Sequence, residues 1–133
     1  MGIIKVGEGR GSAVGRAVVV AAVIGLVMMS QFESVEAVVY VVGDSRGWTF
    51  NVQDWPKGKR FRAGDILKFN YNPTFHNVVV VNQVGYASCR TPAGAKVYKS
   101  GSDQIKLPKG KSFFICNFPG HCESGMKIAV DAL

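Results

Sequence analysis

Histidine and cysteine are scarce in this sequence, which has two histidines and three cysteines among 133 residues. Two histidines are too few for an oxidase that binds several metal ions through many histidines. No C-x-x-C pair occurs, so the ligand spacing typical of a structural zinc site is missing. The sequence also shows no nucleophilic triad and no paired carboxylates for general acid–base chemistry. These absences argue against an enzyme.

Acidic residues are also few, because 9 Asp and Glu stand against 16 Lys and Arg, a formal net charge of +7. Such an excess attracts acidic partners over long distances, and salt weakens the attraction. The densest cluster contains Lys57, Lys59, Arg60 and Arg62. It lacks the basic groove, helix or aromatic ladder of a nucleic-acid binding module, so we expect no nucleic-acid partner. A charge run of this kind is usually a solvated face, and the +7 surface as a whole suits an acidic polysaccharide or a receptor.

No apolar run reaches the roughly 20 residues that a membrane-spanning helix needs. The run at residues 17–29 follows three basic residues and precedes a polar stretch, which is the layout of a secretory signal. We predict that residues 1–37 are a signal removed after Ala37, with an uncleaved anchor as the alternative. Residues 38–133 then form one secreted, extracellular domain, and we expect it to be a monomer. No hydrophobic tail follows the last predicted strand, so we expect no membrane anchor.

Six short runs rich in β-branched and aromatic residues, separated by Gly, Pro, Asn and Ser, are typical of strands. They lie at residues 38–42, 65–71, 77–81, 103–107, 111–116 and 126–130. The one helical feature that we predict is a short turn at residues 83–89. The pattern predicts an all-β domain, an antiparallel β-sandwich or barrel with at most short helical turns.

The scarce residues form a compact pattern near the end of the chain. Residues 116–126 read Cys-Asn-Phe-Pro-Gly-His-Cys-Glu-Ser-Gly-Met between two predicted strands, and His76 begins an earlier one. A thiolate, two imidazoles and a thioether are the donor set of blue-copper electron-transfer sites. We therefore predict one copper ion, cycling between Cu(I) and Cu(II), with His76, Cys116, His121 and Met126 as its ligands. Zinc is the main competitor, but zinc would leave Met126 without a role.

An odd number of cysteines in a secreted chain leaves one thiol unpaired, and three pairings are possible here. A bridge between Cys116 and Cys122 would remove the thiolate that is best placed for both histidines. We therefore prefer a disulfide between Cys89 and Cys122, with Cys116 free for the metal. A native bridge of this kind typically contributes about 2 to 5 kcal/mol to stability.

Residues 114–128 resemble the copper loop of the phytocyanins, a family of cupredoxins, and are most similar to its plantacyanin group. The resemblance extends over essentially all of residues 38–133. Other matching segments are at residues 40–44, 47–48, 55, 69–71 and 76–78. Stellacyanin-like members carry glutamine where this chain has Met126.

The resemblance implies a cupredoxin-like Greek-key fold and a plant extracellular (apoplast) setting. It also implies copper ligands at the four predicted positions and the Cys89–Cys122 disulfide. The predicted function is single-electron transfer, because four protein donors leave no open position for a substrate. We expect the electron to pass through His121. Residues 118–120 beside it form either an apolar docking rim or simple loop packing. The alternative is a signalling or cell-wall interaction protein in plant reproduction or development, in which copper is mainly structural.

Overall fold

A computed structural model describes residues 36–133 of the chain. The predicted signal at residues 1–37 lies outside the described residues, apart from its last two positions. Residues 37–133 form one compact unit. None of the helices within the described range is long and apolar enough to cross a membrane.

Short strands arranged in two sheets dominate the described residues. The strands are β1 (Val39–Val41), β2 (Ile66–Asn70), β3 (Val78–Val81), β4 (Val97–Tyr98), β5 (Ser102–Lys106), β6 (Gly110–Ile115) and β7 (Lys127–Ala132). One sheet has the order β1-β2-β5, and the other has the order β4-β3-β6-β7. The helical parts are a 3-10 helix at Asp44–Arg46 and a short α-helix, α1, at Gln83–Ser88. The all-β prediction and the predicted helical turn are confirmed.

Two features of the sheets differ from the sequence-based expectation. Strand β1 pairs with β2 in parallel, whereas the strand pattern predicted antiparallel pairing. A parallel pair needs a long crossover, and residues 42–65 provide one. Strand β4 was not predicted at all, because its two residues are too few to produce a visible alternation.

Large apolar side chains fill the space between the two sheets. Phe69 of β2 and Phe114 of β6 meet with ring centroids 5.3 Å apart, and Trp48 lies edge-on to Phe69 at 5.0 Å. All three side chains are almost completely buried. A second cluster lies on the opposite face of β3 and β6, with Tyr86 of α1 packed against it. The sandwich therefore holds its connecting loops on a rigid base.

The strand register brings the predicted metal ligands to one end of the sandwich. Val79 lies opposite Ile115, which in turn lies opposite Lys127. Cys116 directly follows Ile115, and the other predicted ligands adjoin the same strand ends. His76 stands two residues before β3, and Met126 stands directly before β7.

Candidate metal centre

Three of the four predicted ligands converge at that end. The Nδ1 atoms of His76 and His121 are 3.1 Å apart, and Nδ1 of His121 is 3.6 Å from Sγ of Cys116. The possible ligand atoms of these three residues all lie within 4.8 Å of one another. Cys116 is fully buried, and both imidazoles are half-buried. The structure thus gathers two nitrogens and one sulfur around a single point.

The Cys116 thiol is free and buried. Burial raises the pKa of this thiol above its ordinary value, because a buried charge loses its hydration. The backbone N–H groups of Asn77 and Phe118, which donate to the sulfur, lower the pKa and partly offset that increase. The thiol therefore carries its proton at neutral pH, and a bound metal must displace that proton.

Burial also acts on His76. It lowers the pKa of the imidazole below its ordinary value, and the nearby charge of His121 adds to the effect. A lowered pKa keeps the ring neutral at physiological pH. Because only a neutral imidazole nitrogen binds a metal, His76 is held in the form that a ligand requires.

Met126 is tied to both of its neighbours in the site through its backbone. Its N–H donates to the carbonyl of His121 at 3.0 Å, and its own carbonyl accepts from the N–H of Cys116 at 3.0 Å. Its side chain is fully buried in the same cluster as Cys116. The fourth predicted ligand therefore lies beside the other three, at the base of the loop.

Glycine is required immediately before Met126. Gly125 has a φ of +82°, and a Cβ at this position would lie 2.5 Å from Oε1 of Gln53 and 3.0 Å from the backbone of Asn51. Its carbonyl accepts from the N–H of Val52 at 3.0 Å. This close approach fixes the end of the ligand loop against residues 51–53.

The predicted disulfide is present. Cys89 and Cys122 are bonded with a Cα–Cα distance of 5.6 Å, across 33 residues of sequence. Cys122 directly follows His121, and Cys89 ends α1 in the left-handed conformation with φ 55°. The bridge therefore anchors the ligand loop to the helix that packs on β3 and β6.

Sequence reasoning missed a pair of asparagines that join the two ligand segments. The side chain of Asn77 donates to Oδ1 of Asn117 at 2.6 Å and accepts from the N–H of Asn117 at 3.0 Å. The carbonyl of Asn77 accepts from the buried Trp48 indole at 2.9 Å. Each asparagine directly follows a predicted ligand, and that adjacency was the available signal. The paired amides hold His76 and Cys116 in a fixed relation.

Phe50 was also missed, and no local pattern singles it out. Its ring lies edge-on to His76 and His121, with centroid distances of 5.5 and 4.9 Å. Phe118 covers another side of His121 at 5.7 Å. These rings pack against both imidazoles and restrict their orientation.

The donors fit a copper ion. Two nitrogens 3.1 Å apart can bind one ion, since usual metal–imidazole bonds are about 2.0 to 2.1 Å long. The converging group contains sulfur and nitrogen but no carboxylate, which disfavours magnesium and calcium. A buried thiolate with imidazoles and a thioether favours a soft metal that changes between Cu(I) and Cu(II).

Comparisons with known proteins agree with this chemistry. A family model described as a plastocyanin-like domain matches residues 48–126, the stretch that contains all four predicted ligands. The basic blue protein of Arabidopsis thaliana is 57% identical over 128 residues, which cover 95% of this chain and 98% of that protein. The structure of cucumber basic protein, a blue copper protein, is 80% identical with a TM-score of 0.71 and covers 71% of this chain and 99% of its own.

A spinach plantacyanin structure is 59% identical with a TM-score of 0.62, and the match covers 65% of this chain and 94% of the plantacyanin. The chain belongs to the plantacyanin-type phytocyanins. The family resemblance inferred from residues 114–128 is therefore confirmed, as is the cupredoxin-like fold. In this phytocyanin the Cys89–Cys122 bridge leaves Cys116 as the free cysteine of the described chain.

Proposed function

We propose that this phytocyanin is a secreted carrier of single electrons that holds one copper ion through His76, Cys116, His121 and Met126. The observation that carries the proposal is the convergence of three ligand atoms within 4.8 Å around a buried, unbridged thiol. When bound, copper supplies a one-electron couple between Cu(II) and Cu(I). The four donors leave no position for a substrate, so the chain acts as a carrier and not as an enzyme.

The protein's own contribution is to hold the donors still. The Asn77–Asn117 pair fixes two ligand segments, the disulfide fixes the residue after His121, and Gly125 seats the loop end against residues 51–53. Donors that move little between two oxidation states lower the reorganisation that electron transfer requires. A purely structural role for copper explains this donor set less well. The disulfide and the buried core already hold these loops in place without a metal.

Secretion is supported by the disulfide and by the predicted signal. Bridges persist in oxidising compartments and are rare in the cytosol. The layout of residues 1–37 adds independent support from sequence. The excess of basic residues favours acidic partners as electron donor and acceptor.

His121 is the proposed route for the electron. Its ring is half-buried at the loop surface, and Phe118, Pro119 and Gly120 form a largely exposed rim beside it. Phe75, on the loop before His76, is 59% exposed and adds apolar surface at the same end. An apolar rim of this kind allows a partner to approach the imidazole edge without a large desolvation penalty.

The proposal is tested by loading residues 38–133 with copper and recording the visible spectrum before and after ascorbate. We expect one copper per chain and an intense blue band that ascorbate bleaches. A Met126→Gln variant should stay blue with a shifted reduction potential, because the axial ligand tunes the potential. A protein that binds copper without a blue band, or whose band resists reduction, would contradict the proposal.

The route through His121 is tested by electron self-exchange between oxidised and reduced copies, measured from NMR line broadening. We expect Pro119→Gln to slow self-exchange about threefold to tenfold, since a lost apolar contact of about 1 kcal/mol corresponds to this range. The matched control is Pro108→Gln, which changes an exposed proline in the β5–β6 turn at the opposite end. Equal rates in the two variants would exclude the rim as the approach surface.

A further inference from the structure

Two cavities lie side by side on the outer face of strand β7. One, of about 280 Å³, lies between β7 and residues 53–61, and the other, of about 180 Å³, lies between β7 and the start of α1. Both are lined by Ala129, Val130 and Asp131. They therefore adjoin the same part of the edge strand, and we treat them together as one shallow groove, which we name the β7 channel.

The sheet and the helix together explain why this channel exists. Tyr86 of α1 packs against the outer face of β3 and β6, while Phe113 is left half-exposed beside its register partner Ala129. Because Ala129 has a short side chain, it leaves a depression in the surface over β7 and forms the floor of the channel. The cavity-lining side chains on the two sides of this floor are Gln53, Lys57 and Lys59 on one and Gln83, Lys111 and Phe113 on the other.

Positive charge lies on both sides of the β7 channel. Lys57 and Lys59 line one stretch, Lys111 lines the other, and Asp131 is the one carboxylate on the lining. Lys57 contacts Asp54 at 3.1 Å, but both side chains are more than three-quarters exposed, so this pair is weakly held. Lys57 and Lys111 are exposed, whereas the half-buried Lys59 donates to the carbonyl of Trp55 at 2.8 Å. The lining therefore carries more cations than carboxylates, and two of these cations face solvent.

Backbone pairing extends this basic surface beyond the channel. The N–H of Gly64 donates to Leu107 at 2.8 Å, and the N–H of Leu133 donates to Phe61 at 3.0 Å. These bonds bring the basic segment at residues 57–62 next to the basic turn at residues 106–111. Asp65 does not neutralise this surface, because it is 4% exposed and accepts the backbone N–H groups of Val38 and Arg62.

We propose that the β7 channel binds a stretch of acidic polysaccharide, a chain of uronate sugars. A shallow channel with lysines on both sides suits an extended chain, because carboxylates recur along such a chain and can meet the lysines. The amides of Gln53 and Gln83 are suited to sugar hydroxyls, and Ala129 on the floor, with Phe113 beside it, offers an apolar surface for a ring face. A flat anionic membrane would not enter the space between β7 and residues 53–61.

Binding over Ala129 and Asp131 leaves the metal centre free, because only Gln53, which lies against Gly125, brings the channel lining close to the ligand loop. Ala129 and Asp131 follow Met126 by three and five positions along β7, which places them roughly 10 and 17 Å away at the usual strand rise. The chain would thus be held at a polyuronate matrix with its His121 end still accessible. This inference does not depend on copper or on electron transfer, so the two can fail separately.

The test uses the copper-loaded protein and a size-defined oligogalacturonate, with binding measured by calorimetry at physiological salt and at raised salt. We expect saturable binding that weakens with salt, and little binding to the methyl-esterified oligomer, which has the same sugars without the charge. Lys57→Gln with Lys111→Gln should weaken binding about threefold to twentyfold, since exposed ion pairs contribute modestly. Asp131→Asn should tighten binding.

The matched control is Lys68→Gln with Lys99→Gln, which removes the same charge outside the channel. We expect this control to lose less than about twofold in affinity, because only the long-range electrostatic attraction changes. That result supports binding at the β7 channel itself. Ala129→Leu, which raises the floor without changing charge, should also weaken binding. Three results would each overturn the proposal. They are equal losses of affinity in the two double lysine variants, unchanged affinity in Ala129→Leu, and tighter binding to anionic phospholipid vesicles than to the oligomer.

Discussion

Replacing Cys116 by serine is expected to abolish the blue band completely and to weaken copper binding by about tenfold to 100-fold. The thiolate is the softest donor in the group, and a serine hydroxyl stays protonated and does not replace it. Serine fills nearly the same volume, so the buried position after β6 should keep its packing. The visible spectrum and a copper titration of the variant measure both effects.

The control for this variant is a second substitution of a buried polar group in β6 that touches no predicted ligand. Ser112→Ala lies four residues earlier in the chain and should leave the band intact. Thermal unfolding of the metal-free Cys116→Ser protein shows whether the fold is kept. Cooperative unfolding near the Tm of the metal-free parent means that the band is lost because the ligand is lost and not because the protein is unfolded. A blue band that survives in Cys116→Ser would assign the metal to other residues.

Removing the disulfide is expected to have the largest effect on stability. The double variant Cys89→Ala with Cys122→Ala should lose about 2 to 5 kcal/mol of unfolding free energy, because the open loop gains freedom in the unfolded chain. For a domain of this size, that loss corresponds to a fall in Tm of about 10 to 30 °C. Thermal unfolding of the copper-loaded and metal-free forms measures the change.

The double substitution avoids a new free thiol, which a single variant would leave beside Cys116. We expect the metal-free form to suffer at least as large a fall in Tm, since bound copper itself holds the ligand loop to the sandwich. A loss below about 1 kcal/mol in both forms would show that the core alone holds Cys122 and the neighbouring His121 in place. The parent protein with the bridge chemically reduced provides an independent comparison.

Much of the site was predictable because its chemistry is local. Cys116, His121 and Met126 fall within 11 residues, and only a few metals use that set of donor atoms. Cysteine parity together with the need for a free thiolate favoured the Cys89–Cys122 bridge, which the structure contains. Six of the strands were visible for a similar reason, since the enrichment in β-branched and aromatic residues is a property of each segment by itself.

Other features depend on pairs of residues that are far apart in the sequence. Asn77 and Asn117 are 40 residues apart in the sequence, and the residues around each asparagine do not indicate that the two side chains pair. Phe50 reaches both histidines from a loop without periodicity. The sequence analysis expected antiparallel strands, and this was wrong for β1 and β2, which are parallel. The direction of a strand depends on the path of the connecting crossover, which the strand's own residues do not show.

The sequence by itself determined the donor atoms, the free thiol and the all-β class, because each follows from residue types and short-range spacing. Only the tertiary structure decided how His76 reaches Cys116, which rings cover the imidazoles, and how lysines from two distant segments come to line the β7 channel. The physical reason is that packing between sheets sets these distances, and the free energy of that packing is shared among many residues and not encoded at any one position.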